Sequence, residues 1–190
     1  MAVGDFARQF QALAADRGIE LVAQVPKPWL SGLGHLDAVV HEAPPGVLER
    51  LSAAYLNLGG SPDVGTRSRK PLMVDFTLGD DIIVELDEFQ HFTSARRQTL
   101  DFYEGVNHGL DLDSYRGHCR RTLDRADRYF AAKPASGFDW PGGRRAQRAY
   151  LDMVRDLLGP VFGERVIRTP APHGLVDLAV RDLEHALDQL

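Results

Sequence analysis

The chain of 190 residues is long enough for one domain with its own core, and 44% hydrophobic with 26% charged residues excludes a disordered or fibrous protein. A formal net charge of −5 argues against nucleic-acid binding through bulk charge, and a single cysteine, Cys119, excludes a disulfide framework and a cysteine-based zinc site. No apolar run approaches the ~20 residues that span a bilayer, and the acidic, amphipathic N-terminus has no signal core, so no membrane partner and a cytoplasmic location are expected.

Phe6, Phe10, Leu13 and Ala14 follow helical spacing up to Gly18. The Pro- and Gly-rich stretch from Pro26 to Pro45 reads as loop or short elements. After Pro44-Pro45, the stripe Val47, Leu48, Leu51, Tyr55 and Leu58 predicts a second helix, closed by Gly59-Gly60 and a polar loop. Two strands are expected near 71–78 and 82–88 around the turn Gly79-Asp80-Asp81. Thr93 or Ser94 caps a helix reaching about Tyr103. Tyr115, Cys119, Leu123, Ala126 and Phe130 mark a longer helix, Arg144–Leu158 another, Val166–Arg168 a short strand and Leu175–Leu190 a last helix. These elements describe a single α/β domain over 1–190.

The strand pair carries an unusual charge load in "MVDFTLGDDIIVELDEFQHF". Alternation puts Glu85 and Asp87 on one face, and a three-residue turn that pairs Leu78 with Ile82 brings Asp75 opposite Glu85 on that face. Opposed Cβ atoms stand about 4.5–5.5 Å apart, where like charges destabilise a sheet. A protonated carboxyl, a neighbouring arginine or a divalent cation would relieve the repulsion. Oxygen ligands at this spacing suit Mg²⁺ or Mn²⁺.

The pattern "VDF…IIVELDEFQHF" resembles the PD-(D/E)XK nuclease superfamily, and within it the branch related to very-short-patch-repair endonucleases. That branch tends to carry an Asp-x-x-Arg-Asp helix and then a strand ending in Arg, and "RAYLDMVRDLLGPVFGERVIR" supplies Asp152, Arg155, Asp156 and Arg168 in that order. The likeness rests on residues 67–103 and 143–169, with Asp87 standing where the family's Lys would fall. It implies a restriction-endonuclease-like mixed central sheet flanked by helices, with residues 104–142 as a helical insertion.

The chemistry it implies is Mg²⁺- or Mn²⁺-dependent hydrolysis of a phosphodiester, with DNA as the expected partner. Asp75 and Glu85 are then direct ligands, and Asp87 is a ligand or the group that orients the nucleophilic water. Gln90 or His91 helps to orient that water, His91 also serving as proton relay or phosphate contact, and Glu49 is the accessory acid. A nuclease-like fold that has lost catalysis and serves as a binding or assembly module is the alternative, and an unrelated hydrolase of small phosphates a third.

Charge is also unevenly spread. From Arg116 to Arg168 there are twelve Lys/Arg and six Asp/Glu, a local excess of +6 that leaves −11 on the rest of the chain. Arg121, Arg125 and Arg128 share one helix face and suggest a track for phosphates, with Arg96, Arg97 and Arg155 as further nucleic-acid contacts. Arg96 and Arg97 could instead complement nearby acids, and Arg155 could pair with Asp152 or Asp156 on its own helix.

Overall fold

The computed structural model describes residues 4–63 and 69–190; part of the polar loop before the strand pair, and the start of the first resemblance block, lie outside it. The chain runs α1 (Asp5–Asp16), β1 (Val22–Ser31), α2 (Pro45–Asn57), β2 (Pro71–Leu78), β3 (Ile82–Glu88), α3 (Ser94–Thr99), α4 (Leu112–Phe130), α5 (Gly143–Leu158), β4 (Arg165–Ala171) and α6 (Val176–Asp188). The four strands form one mixed sheet in the order β1-β2-β3-β4. Only β3 and β4 are parallel, and the long connection between them holds α3, α4 and α5.

Helices cover both faces of this sheet. On one side α1 and α6 pack together over Phe76, Val84, Leu86 and Ile167, and Phe10 lies against Phe76 with ring centroids 5.6 Å apart. On the other side α5, backed by α2, α3 and α4, closes over Ile83 and Val166. The stretch 104–142 is built into this second layer, since Tyr115 and Cys119 of α4 belong to its core. Among the described residues, no helix is long and apolar enough to cross a membrane.

The hairpin forms in the expected register, with Leu78 opposite Ile82 and Phe76 opposite Val84. Gly79 opens its turn at φ 60°, where a side chain would be strained. One expectation fails: Pro26–Ser31, read as loop or short elements, is strand, the second half of β1, and Trp29 is buried within it. Pro26 and Pro28 are tolerated because β1 is an edge strand, paired with β2 alone, so its outer side needs no N–H donors. The pairing with β2 shifts between Lys27 and Ser31.

Candidate functional site: a buried acid, histidine and arginine network

Three sequence-distant segments meet on the α5 face of the sheet. The period of β3 sends Ile83, Glu85 and Asp87 toward α5. On α5, Arg148, Asp152, Arg155 and Asp156 fall at i, i+4, i+7 and i+8, so they form one stripe facing the strand. Arg168 enters from β4, where the parallel register sets it beside Glu85.

Asp87 has no solvent exposure and is held from three sides. Arg168 Nη1 reaches both of its oxygens at 2.9 and 3.0 Å, the Tyr115 hydroxyl donates to Oδ2, and His91 Nδ1 stands 2.9 Å from Oδ1. His91 Nδ1 is also 3.1 Å from Asp152 Oδ2, so one ring N–H bridges two carboxylates. Burial alone would raise both carboxyls; Arg168 and His91 outweigh it and hold Asp87 and Asp152 below the usual range. Burial likewise disfavours an imidazolium, but Asp87 and Asp152 outweigh it and push His91 up to about 9.

On the far side of the ring, Arg148 Nη1 lies 2.9 Å from Nε2. That contact needs a lone pair on Nε2 and therefore a neutral ring with its proton on Nδ1. Two buried carboxylates outweigh one half-buried guanidinium, so the charged ring prevails near neutrality, and Arg148 must then turn off Nε2.

A second layer supports the first. Arg168 Nε donates to Asp156 Oδ1 at 2.5 Å and Nη2 to the Asp152 carbonyl at 2.9 Å. Asp156 Oδ2 accepts from Arg96 Nη2 at 2.7 Å and from the Tyr103 hydroxyl at 2.5 Å. Arg96, expected to contact nucleic acid, is therefore a correction. It is fully buried, and its Nη donors are taken up by Asp156, Thr99 and the Tyr103 hydroxyl, the last at 2.7 Å, rather than presented to a phosphate. Thr93 fixes it there by capping α3, its hydroxyl accepting from the Arg96 N–H at 3.0 Å.

Asp75 and Glu85 sit beside this network in a gap between strands. The Asp75 N–H reaches Glu85 Oε1 at 3.4 Å, and the Leu86 N–H donates to Asp75 Oδ2 at 3.0 Å, so side chains replace ladder bonds beyond Phe76 and Val84. On the other side the register sets Gln24 against Asp75, and Gln24 is the one non-glycine residue described with positive φ, 55°. Burial raises the Glu85 carboxyl to about 8 against the pull of Arg155, whose Nε is 3.2 Å away, with Asp75 adding to the rise. A proton and an arginine are thus the structure's relief for this pair. Arg155 also lies 3.6 Å from Asp152 Oδ1 and donates to the Met73 carbonyl at 3.3 Å.

Among the described residues, one group brings three metal-ligating atoms within 4.8 Å of each other: Asp87, His91 and Asp152. A cation there would take the place of the bridging Nδ1 proton, and buried carboxylates with an unprotonated imidazole suit a divalent ion. Asp152 was legible as part of the Asp-x-x-Arg-Asp helix but not as a ligand, and Tyr115 read only as core stripe. The remaining expected residues lie apart. Glu49 is exposed on α2, Gln90 is half-buried in the turn Phe89–His91, Arg97 is exposed on α3, and Arg121, Arg125 and Arg128 are exposed on α4. Arg125 stacks over the Phe89 ring at 3.9 Å.

Compared with protein-family models, curated proteins and solved structures, the chain has no match.

Proposed function

We propose that the chain hydrolyses phosphodiesters of nucleic acid, DNA first among them, with a divalent cation held by Asp87, His91 and Asp152. The observation that carries this reading is the convergence of the strand motif, the Asp-x-x-Arg-Asp helix and the Arg-ending strand on one buried point. A restriction-endonuclease-like arrangement of the mixed sheet, which the resemblance to PD-(D/E)XK nucleases implies, belongs to the same proposal. The imidazole among the donors favours Mn²⁺ over Mg²⁺. When bound, the ion would polarise a phosphoryl oxygen and lower the pKa of a water. Arg168 holds Asp87 and the Asp152 backbone in place for it, and Glu85, protonated near neutrality beside Arg155, stands next to the group as a proton donor.

The test is cleavage of plasmid and of labelled DNA and RNA oligonucleotides with Mn²⁺ or Mg²⁺. Wild type should cleave, chelation should stop it, and Asp87→Asn and Asp152→Asn should each lose at least about a hundredfold, the scale of losing a metal or its orienting partner. Absence of cleavage of every substrate with either ion sinks the reading.

One observation favours the catalytically inactive alternative. Arg168, Tyr115 and His91 between them satisfy both oxygens of Asp87. Under that reading the network is a structural clamp in a nucleic-acid-binding or assembly module. Binding without cleavage, together with no effect of Mn²⁺ on melting temperature, would select it.

A further inference from the structure

A pocket of about 380 Å³ opens beside the network, between the start of α5, the end of α4 and the turn Phe89–His91. Its walls include Lys133, Arg144 and Arg148, with Glu88 as the one carboxylate and the rings of Phe89 and Tyr129. Other half-buried arginines among the described residues find acids or backbone carbonyls: Arg145 pairs with Asp127 at 3.5 Å, Arg155 with Glu85, and Arg50 donates to the Glu104 carbonyl. The three cations of the pocket do not. Arg144 bonds the amide oxygen of Gln147, Lys133 Nζ sits 4.7 Å above the Tyr129 ring, and Arg148 faces His91 Nε2.

Their placement is costly. Arg144 and Arg148 are four residues apart on one face of α5, where like charges repel. Both lie in its N-terminal half, and Arg144 in the first turn meets the positive end of the helix dipole. Burial and the neighbouring Arg148 pull the Arg144 guanidinium below its ordinary value. An anion in the pocket removes each of these costs at once, by charge pairing and by occupying the free guanidinium donors.

We propose that this pocket binds a phosphate group of a nucleic-acid strand, held by Arg144, Arg148 and Lys133. The inference deepens the hydrolase reading and rests on it for the identity of the strand. Arg148 links the two places, since it lines the pocket and adjoins the His91 ring whose Nδ1 faces Asp87 and Asp152: it lies 2.9 Å from Nε2 of the neutral ring, and turning off the charged ring frees its donors for the pocket. A bound phosphate is therefore one imidazole away from the carboxylates, and its neighbour along the strand is the bond presented to them. The volume is at the small end of the ~300–1,000 Å³ of ordinary ligand sites, so the pocket takes one nucleotide unit and not a duplex.

Binding is measured by fluorescence anisotropy with a short labelled single-stranded oligonucleotide in EDTA, so that neither a metal nor cleavage is required. The double variant Lys133→Gln/Arg144→Gln should bind at least tenfold more weakly and lower the salt slope by about 1–2, the loss of one or two phosphate contacts. Arg121→Gln/Arg128→Gln, on the exposed α4 face, should change affinity less than the pocket variant. Pyrophosphate and inorganic phosphate serve as competitors. Displacement of the oligonucleotide by them from wild type, with less effect on the pocket variant, supports the proposal. No oligonucleotide binding by folded wild type, equal affinity and salt slope in the pocket variant, or binding of the free phosphates alone overturns it. Failure of cleavage with the pocket result intact would remove the hydrolase reading and leave the phosphate site standing. Cleavage with a binding step indifferent to Lys133 and Arg144 would do the reverse.

Discussion

The two faces of β3 are equally dry and chemically opposite. Val84 and Leu86 are 0% and 5% exposed against α1 and α6, while Glu85 and Asp87 are 2% and 0% exposed against α5. On the first face each large apolar side chain contributes roughly 1.5–3 kcal/mol by leaving water. On the second, removing carboxylates and guanidiniums from water consumes about what their pairing returns. The contrast shows where this fold invests for stability and where it keeps groups that stability alone would not select. It also makes the charged face the fragile one, because each charge there depends on partners from other elements.

The sharpest way to break the contrast is to remove one charge. Arg168→Met leaves Asp87, Asp152 and Asp156 short of their common partner and should cost about 3–5 kcal/mol in urea unfolding. If it unfolds at the wild-type midpoint, the network does not hold the sheet together. On the apolar face Leu183→Ala, at a fully buried site in α6, should cost about 2–5 kcal/mol through lost transfer energy and the cavity left behind. Unlike the Arg168 change, that loss should be the same at pH 5 and pH 9.

A cation should act on one face only. Saturating Mn²⁺ should add about 2–3 kcal/mol, seen as a higher melting temperature, because it binds the folded state alone. Asp152→Asn should abolish the effect while Leu183→Ala retains it. No shift in wild type would count against a metal at Asp87, His91 and Asp152.

The pH dependence has a defined sign. Glu85 keeps its proton in the folded protein up to about 8, whereas the unfolded chain releases it near 4.5, so stability falls as pH rises across that window. His91, raised from 6.5 to about 9, contributes stability that is full below 6.5 and lost as pH rises through 9. The lowered Asp87 and Asp152 act oppositely, and their contribution disappears as pH falls below the usual carboxylate value of 3.8. Stability should therefore peak in mild acid. Glu85→Gln should flatten the decline between pH 5 and 8 by a few kcal/mol, at about 1.4 kcal/mol for each pH unit over which the carboxyl is raised, and a decline of unchanged slope would place the titrating group elsewhere. The smallest effect is expected for Arg121→Gln/Arg125→Gln/Arg128→Gln, within about 0.5 kcal/mol of wild type in the same unfolding measurement. A larger loss would mean that the exposed α4 face carries structure after all.

The sequence by itself determined the elements whose signals are local. Apolar periodicity, and for the helix after the hairpin a capping Thr93 or Ser94, placed six helices and three of the four strands among the described residues, and the turn Gly79-Asp80-Asp81 set the hairpin register that puts Asp75 beside Glu85. These features depend on side-chain period and turn length, which a few neighbouring residues specify. Only the tertiary structure decided the rest. Pro26 and Pro28 read as loop because a strand tolerates them only when no neighbour needs their missing N–H, and edge position is a property of the whole sheet. Arg96 and Arg121 look alike in sequence, yet one is sealed against Asp156 and Tyr103 and the other stands in solvent. The same holds for the acids. The repulsion between Asp75 and Glu85 and the three ways to relieve it were visible in the strand pattern, but the choice of a proton together with Arg155 was not. Nor was the capture of Asp87 by Arg168, Tyr115 and His91, because hydrogen-bond and charge partners that lie 28 and 81 residues away along the chain become neighbours only through packing.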